Sequence, residues 1–239
     1  MENEKRKKAV ERKSLFIIPT LTHNIGLLLF LLSIIYSIVF AFPKPVSAWE
    51  LAKSGDGITV YTRSVKGSGF KEYKALTKIE ASLSSLVAIV EDIEAYPSWI
   101  HTCKEGKLLK KINEKETYNY TINEAPWPVR DRDAVVHNKI SQNTENRVVT
   151  IEIKGIPDYI PEKTGLQRVR KIDGFWRFTP LENGSVEVVY QVHSEPGGNL
   201  PSWLVNSIVV SQPYYTLVNM QKVLTQPKYR NAEYSFIKE

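Results

Sequence analysis

From Pro196 to Gln221 the chain reads PGGNLPSWLVNSIVVSQPYYTLVNMQ, 26 residues without one Asp, Glu, Lys or Arg. Pro201 suits the first position of a helix, where its missing N–H leaves no bond unmade. The spacing predicts a helix from Ser202 to about Gln226, roughly 37 Å long at 1.5 Å per residue. Trp203, Val210, Tyr214 and Leu217 fall on one face; Leu204, Ile208 and Tyr215 fall on another. A helix apolar nearly all round is buried or spans a membrane. Asn206, Gln212, Pro213 and Asn219 argue against a span, so the helix is expected to lie enclosed by the rest of the chain.

What encloses it reads as strands. Gly57–Val65 and Phe70–Ile79 flank the turn Lys66-Gly67-Ser68-Gly69. Lys104–Ile112, Thr117–Asn123, Asp133–Ile140, Arg147–Ile153, Gln167–Thr179 and Val186–His193 follow, punctuated by Asn- and Gly-rich turns. Trp49 to Ser54 reads as a short helix. Ser82 is the expected N-cap of a second, with Leu83, Leu86, Val87, Val90 and Ile93 at helical spacing and Pro97 as its stop. Consecutive strands joined by tight turns mean an α+β protein with a curved antiparallel sheet wrapped around the long C-terminal helix. Alternation turns Val149, Ile151, Ile153, Trp176, Phe178, Val186, Val188, Tyr190 and Val192 inward. Such stripes are what a packed core gives, since packed interiors are the norm.

Composition narrows the function. The chain has 239 residues, 42% hydrophobic and 24% charged, which excludes collagen-like, coiled-coil and wholly disordered classes. Its net charge of +6 is concentrated at the start: residues 49–239 hold 25 Lys/Arg against 23 Asp/Glu. That near-neutral remainder carries no basic footprint for nucleic acid. A single cysteine, Cys103, forms neither an internal disulfide nor a Cys-based zinc site.

The start of the chain reads as a leader. Residues 1–13 are basic, Leu27 to Phe42 is the densest apolar run, and Val46-Ser47-Ala48 is a small-residue cleavage site. The same 1–48 segment also reads as an uncleaved anchor, because Ile25 to Phe42 is 18 residues, about the minimum for a span. Under either reading residues 49–239 form one domain outside the cytoplasm, periplasmic in a bacterium, secreted or tethered by the N-terminal segment.

Four segments in order carry a resemblance. Glu195-Pro196-Gly197-Gly198-Asn199-Leu200-Pro201-Ser202-Trp203-Leu204-Val205-Asn206 closely resembles the start of the C-terminal helix of START domains, the steroidogenic-acute-regulatory-related lipid-transfer family. Pro128-Val129-Arg130-Asp131-Arg132-Asp133 is similar to that family's Arg-Asp strand start. Gly57 to Tyr61 and Asp92 to Trp99 are similar to its early strand and second helix. The resemblance spans essentially all of 49–239. It implies the helix-grip fold, with a hydrophobic tunnel for one lipid. It implies binding, and transfer between membranes, rather than turnover; no cofactor, metal or catalytic residue; a monomer; and transient membrane contact or an N-terminal membrane tether. Many members carry a charged tunnel residue where this chain has Asn138, which points to a weakly polar, sterol-like or neutral lipid. The residues expected to line the site are Trp127, Val136, Asn138, Val149, Ile151, Trp176, Tyr190, Ile208, Gln212 and Tyr215.

Three further readings stay open. The loop Ala125-Pro126-Trp127-Pro128 is either a tunnel mouth with Trp127 touching a membrane or a stiffened lid on the core. Tyr159-Ile160-Pro161, in the loop Ile156–Gly165, is a second candidate gate. The same architecture hosts cyclases and aromatases, so an enzyme acting on a bound hydrophobic substrate is the alternative; His137 beside a carboxylate within the cavity would mark it. A membrane-tethered interaction module with a filled core is the third. Arg130-Asp131-Arg132-Asp133 reads as ion pairs, not as an acid–base pair, and His101 with Cys103 offers too few ligands for a metal.

Overall fold

Antiparallel pairing organises the chain. The computed structural model describes residues 48–198, 200 and 202–239, apart from the side chains at 202, 203 and 207. The expected leader lies outside the described residues but for Ala48, as does Pro201. Ten strands form one sheet: β1 Glu50–Gly55, β2 Ile58–Ser64, β3 Lys71–Ile79, β4 Cys103–Asn113, β5 Glu116–Asn123, β6 Arg132–Gln142, β7 Val149–Gly155, β8 Gln167–Arg168, β9 Lys171–Pro180 and β10 Val186–Glu195. The helices are α1 Leu83–Glu91, α2 Tyr96–Trp99, α3 Ser202–Val223 and α4 Pro227–Arg230. The sheet order is β1-β2-β3-β10-β9-β7-β6-β5-β4, with β8 added parallel to β6. Strand β10 closes the sheet by entering between β3 and β9. This curved sheet gripping a C-terminal helix is the helix-grip fold.

The turns behave as their residues dictate. Ser82 caps α1, its hydroxyl accepting from Ser85 N at 3.0 Å. The Glu239 carboxylate adds to that cap, accepting from Leu83 N and Ser84 N at 2.7 and 2.9 Å. Gly197, ahead of α3, has φ +70°, and a Cβ there would sit 2.8 Å from Arg168 O. Only glycine lets the chain turn into the helix so close to β8.

Four expectations need correction. Residues 50–55 form an edge strand, not a helix; six residues are too few to nucleate one, whereas β2 offers a ready ladder. Helix α1 ends at Glu91, and Pro97 instead occupies the first turn of α2, where proline is tolerated. The single strand expected over Gln167–Thr179 is two, β8 and β9, because Arg168 turns inward to an ion pair. The sheet therefore has ten strands rather than eight.

One core joins the sheet's inner face to the helices. Val149, Ile151, Phe178, Val186 and Val188 cluster with Leu83, Leu86, Val87 and Val90 of α1 and with Tyr214, Leu217, Met220 and Leu224 near the end of α3. Four polar residues of α3 are hydrogen-bonded to the elements around it. Asn206 Oδ1 accepts from Lys71 N at 3.0 Å, Tyr214 donates to Asp56 at 2.7 Å, Asn219 donates to Trp99 O at 3.3 Å and Gln221 donates to Thr77 Oγ1 at 3.0 Å. Among the described residues no helix is long and apolar enough to cross a membrane.

A buried ion pair locks the start of β6. Arg168 is fully buried and grips Asp133 with two bonds, Nε to Oδ1 at 3.1 Å and Nη2 to Oδ2 at 2.8 Å. Tyr120 donates to the same carboxylate at 3.2 Å. The guanidinium also donates to the carbonyls of Pro157, Ile160 and Pro161, tying down the 156–165 loop. Removing one partner strands a buried charge, at a cost of about 3–5 kcal/mol. Arg168→Met is expected to lower unfolding stability by about that amount in urea titration, and Arg168→Met with Asp133→Leu to recover much of it. A single variant as stable as the parent would contradict this account.

Candidate ligand cavity

The inner face of β6 runs Arg132, Ala134, Val136, Asn138, and all four side chains border a cavity of about 280 Å³. Ile153 of β7, Trp176 of β9 and Tyr190 and Val192 of β10 continue its wall; Tyr73 of β3 completes that side. Helix α3 roofs it with Leu204, Val205, Ile208, Val209 and Gln212. Ala125, Pro126 and Val129, from the loop before β6, stand at the end near Arg132. The volume lies just below the range for small-molecule pockets, about 300–1,000 Å³.

Six of the residues expected from sequence meet here: Val136, Asn138, Trp176, Tyr190, Ile208 and Gln212. Four do not. Val149 and Ile151 face inward but lie at 0% and 1% exposure within the packed core. Alternation fixes which face a side chain takes, not how far along the strand the hollow reaches. Tyr215 is 42% exposed, with its ring 5.1 Å from that of His101 and Lys53 Nζ 4.7 Å from its centre. Trp127 is 93% exposed, on the loop whose neighbours line the cavity. It is neither lining nor lid. Tyr159, the second candidate gate, stacks on Tyr118 at 4.6 Å and does not border the cavity.

Sequence reasoning missed Arg132, Tyr73, Thr121 and Asn123, all of which border the cavity. The signal for Arg132 was present: it shares the alternation of Ala134, Val136 and Asn138. Its reading as an ion-pair residue hid it. Asp133 instead pairs with Arg168, and Asp131 with Lys104 at 2.9 Å.

The lining is mainly apolar, with few titratable groups. Trp176 stacks on Tyr190 at 3.7 Å, and Tyr73 meets Tyr190 edge-on at 5.3 Å. Burial pushes both phenols up, so they stay neutral donors; hydrogen bonding from Tyr73 and Gln212 works the other way on Tyr190. Three lining polar atoms are buried without a hydrogen-bond partner: Asn138 Oδ1, Gln212 Oε1 and Arg132 Nε. His137 does meet a carboxylate, with Nε2 2.8 Å from Glu116 Oε1, but it stacks on Tyr118 outside the cavity. Among the described residues no three His, Cys, Asp or Glu side chains gather as a metal site.

Comparison with known proteins fits this geometry. The family model described as the START domain matches residues 46–228. An uncharacterized protein of Pseudomonas aeruginosa is 42% identical over 173 residues, covering 72% of this chain and 85% of that protein. The crystal structure of a STAR-related lipid transfer protein from Xanthomonas axonopodis superposes with a TM-score of 0.70 at 36% identity, covering 74% of this chain and 99% of that one. The phosphatidylcholine transfer protein of Rattus norvegicus is 28% identical over 163 residues, covering 66% of this chain and 75% of its own length. A chain with this fold, this hollow and these relatives belongs to the START domain family.

Proposed function

We propose that residues 49–239 bind one weakly polar lipid, of sterol-like or neutral type, in the α3 cavity and transfer it between membranes outside the cytoplasm. The observation that carries this reading is the apolar hollow left between α3 and the sheet. Each methylene moved from water into such a space is stabilised by about 0.8 kcal/mol. Two of the relatives, from Xanthomonas axonopodis and Rattus norvegicus, are named lipid transfer proteins, which supports carriage as the use of that burial. The pair that acid–base chemistry would draw on, His137 with Glu116, stands outside the cavity, and this favours carriage over the cyclase-like alternative.

Membrane contact is assigned to Trp127. A large ring exposed beside the cavity-lining loop suits a bilayer interface, where one side is apolar and the other wet. The compartment rests on the basic head and the apolar run of residues 27–42. N-terminal sequencing of the mature protein reads it: Trp49 first means a released domain, Met1 an anchored one.

Mass spectrometry of lipid copurifying with the domain tests the central reading. A stoichiometric lipid is expected in the parent protein. Val136→Trp and Ile208→Trp fill the hollow and are expected to cut that occupancy at least tenfold while leaving a cooperative thermal transition. Undiminished occupancy in both variants would move the ligand elsewhere. Trp127→Ala is expected to slow lipid transfer between vesicles several-fold. Equilibrium affinity and melting temperature should not change, because the ring is almost wholly in solvent. An equal transfer rate would remove Trp127 from the membrane step.

A further inference from the structure

We infer that the ligand carried in this cavity seats an uncharged hydroxyl group at the end marked by Asn138 and Gln212, an inference that rests on the lipid-carrier reading above. Asn138 is 7% exposed and lines the cavity, yet its Oδ1 has no partner. Gln212 reaches in from the roof with Oε1 equally unpartnered. Behind them on β5, Asn119 is fully buried; it donates to Thr117 Oγ1 at 3.0 Å and leaves its own Oδ1 unpaired. Thr117 and Asn138 are direct partners across β5 and β6, and so are Asn119 and Val136, so the two Asn side chains are diagonal neighbours. Unpaired buried carbonyl oxygens are rare because desolvating them without a bond is costly. Two that border one hollow, Asn138 Oδ1 and Gln212 Oε1, indicate a group that a ligand supplies.

The chemistry of that group follows from the amides. Carbonyl oxygens call for a donor, and a hydroxyl donates while also accepting from the Tyr190 phenol or an amide N–H. It satisfies an Asn or Gln side chain whichever way the amide is turned. A quaternary ammonium has no N–H to give. A phosphate or carboxylate has only acceptors and needs a cation beside it. The cation bordering the cavity is Arg132, six residues from Asn138 along β6 and so about 20 Å away at 3.4 Å per residue. Along the stretch of β6 that borders the cavity, the charge sits at one end and Asn138 at the other.

Matched probes decide this. Equilibrium uptake of dodecan-1-ol, dodecyl methyl ether and dodecyl phosphate is measured with the parent domain and with Gln212→Leu and Asn138→Leu. The parent is expected to take the alcohol at least tenfold more tightly than the ether or the phosphate. Each Leu variant should shrink the alcohol-to-ether ratio several-fold. The apo melting temperature of Asn138→Leu should match or exceed the parent's, since a buried, unpartnered amide oxygen has been removed. Should Asn138→Leu fail to fold, Gln212→Leu carries the test alone. Equal uptake of alcohol and ether by the parent overturns the hydroxyl seat and leaves lipid carriage standing. Uptake of none of the probes overturns carriage itself. A tenfold preference untouched in the folded variants removes Asn138 and Gln212 from the seat.

Discussion

Everything in this fold turns on helix α3 being held away from part of the sheet. Its last turns are packed, with Leu217 and Met220 fully buried and Tyr214 and Leu224 nearly so. Its middle, from Leu204 to Gln212, roofs a hollow. A protein interior ordinarily closes such a gap, because voids forfeit dispersion contacts on every wall. Here the polar side chains of the helix resist collapse. Asn206 is bonded to the start of β3, Tyr214 to the β1–β2 turn, Asn219 to the end of α2 and Gln221 to the middle of β3. Moving the helix inward would break four hydrogen bonds to gain contacts over a few methylenes. The Arg168–Asp133 pair fixes the opposite wall and the loop behind it. The cavity persists because both of its sides are anchored by bonds that point away from it.

The division between legible and hidden features follows the physics of each signal. Period-two alternation states which face a residue takes, and the inward assignments of Val136, Asn138, Trp176, Tyr190 and Val192 match the observed lining. It says nothing of depth: Val149 and Ile151, expected to line the site, face inward but lie in the packed core and do not border the cavity. The charge-free run announced the buried helix, and Ser82 announced the start of α1. The segment 50–55 has weak local preference and takes its structure from the β2 ladder, which no local pattern reveals. Strand β8 depends on Arg168 finding Asp133 from 35 positions away. Tyr215 was lost to a local competition: Lys53 and the His101 ring hold it outside.

The same anchoring separates two kinds of chemistry. Alternation on β6 sends Asn138 inward and His137 outward, so the imidazole and its Glu116 partner lie outside the cavity. Moving His137 inside would take a one-residue slip of β6, which would also turn Ala134, Val136 and Ile140 outward. The register that keeps the cavity greasy therefore keeps it free of the histidine.

Polarity along the cavity then sets how a guest sits. With its hydroxyl at Asn138 and Gln212, a lipid leaves its hydrocarbon toward Leu204, Val129 and Pro126, beside the exposed Trp127. That is the end nearest a bilayer when the Trp127 loop touches one. On the proposed reading the tail would pass between membrane and protein without crossing water, and desolvation would be confined to a single hydroxyl, whose lost water bonds the buried amides would replace. A charged headgroup following the same route would have to shed its hydration with no counter-charge at the amide end. The cavity's selectivity, on this account, lies in which polar group can afford the journey inward rather than in the fit of the chain behind it.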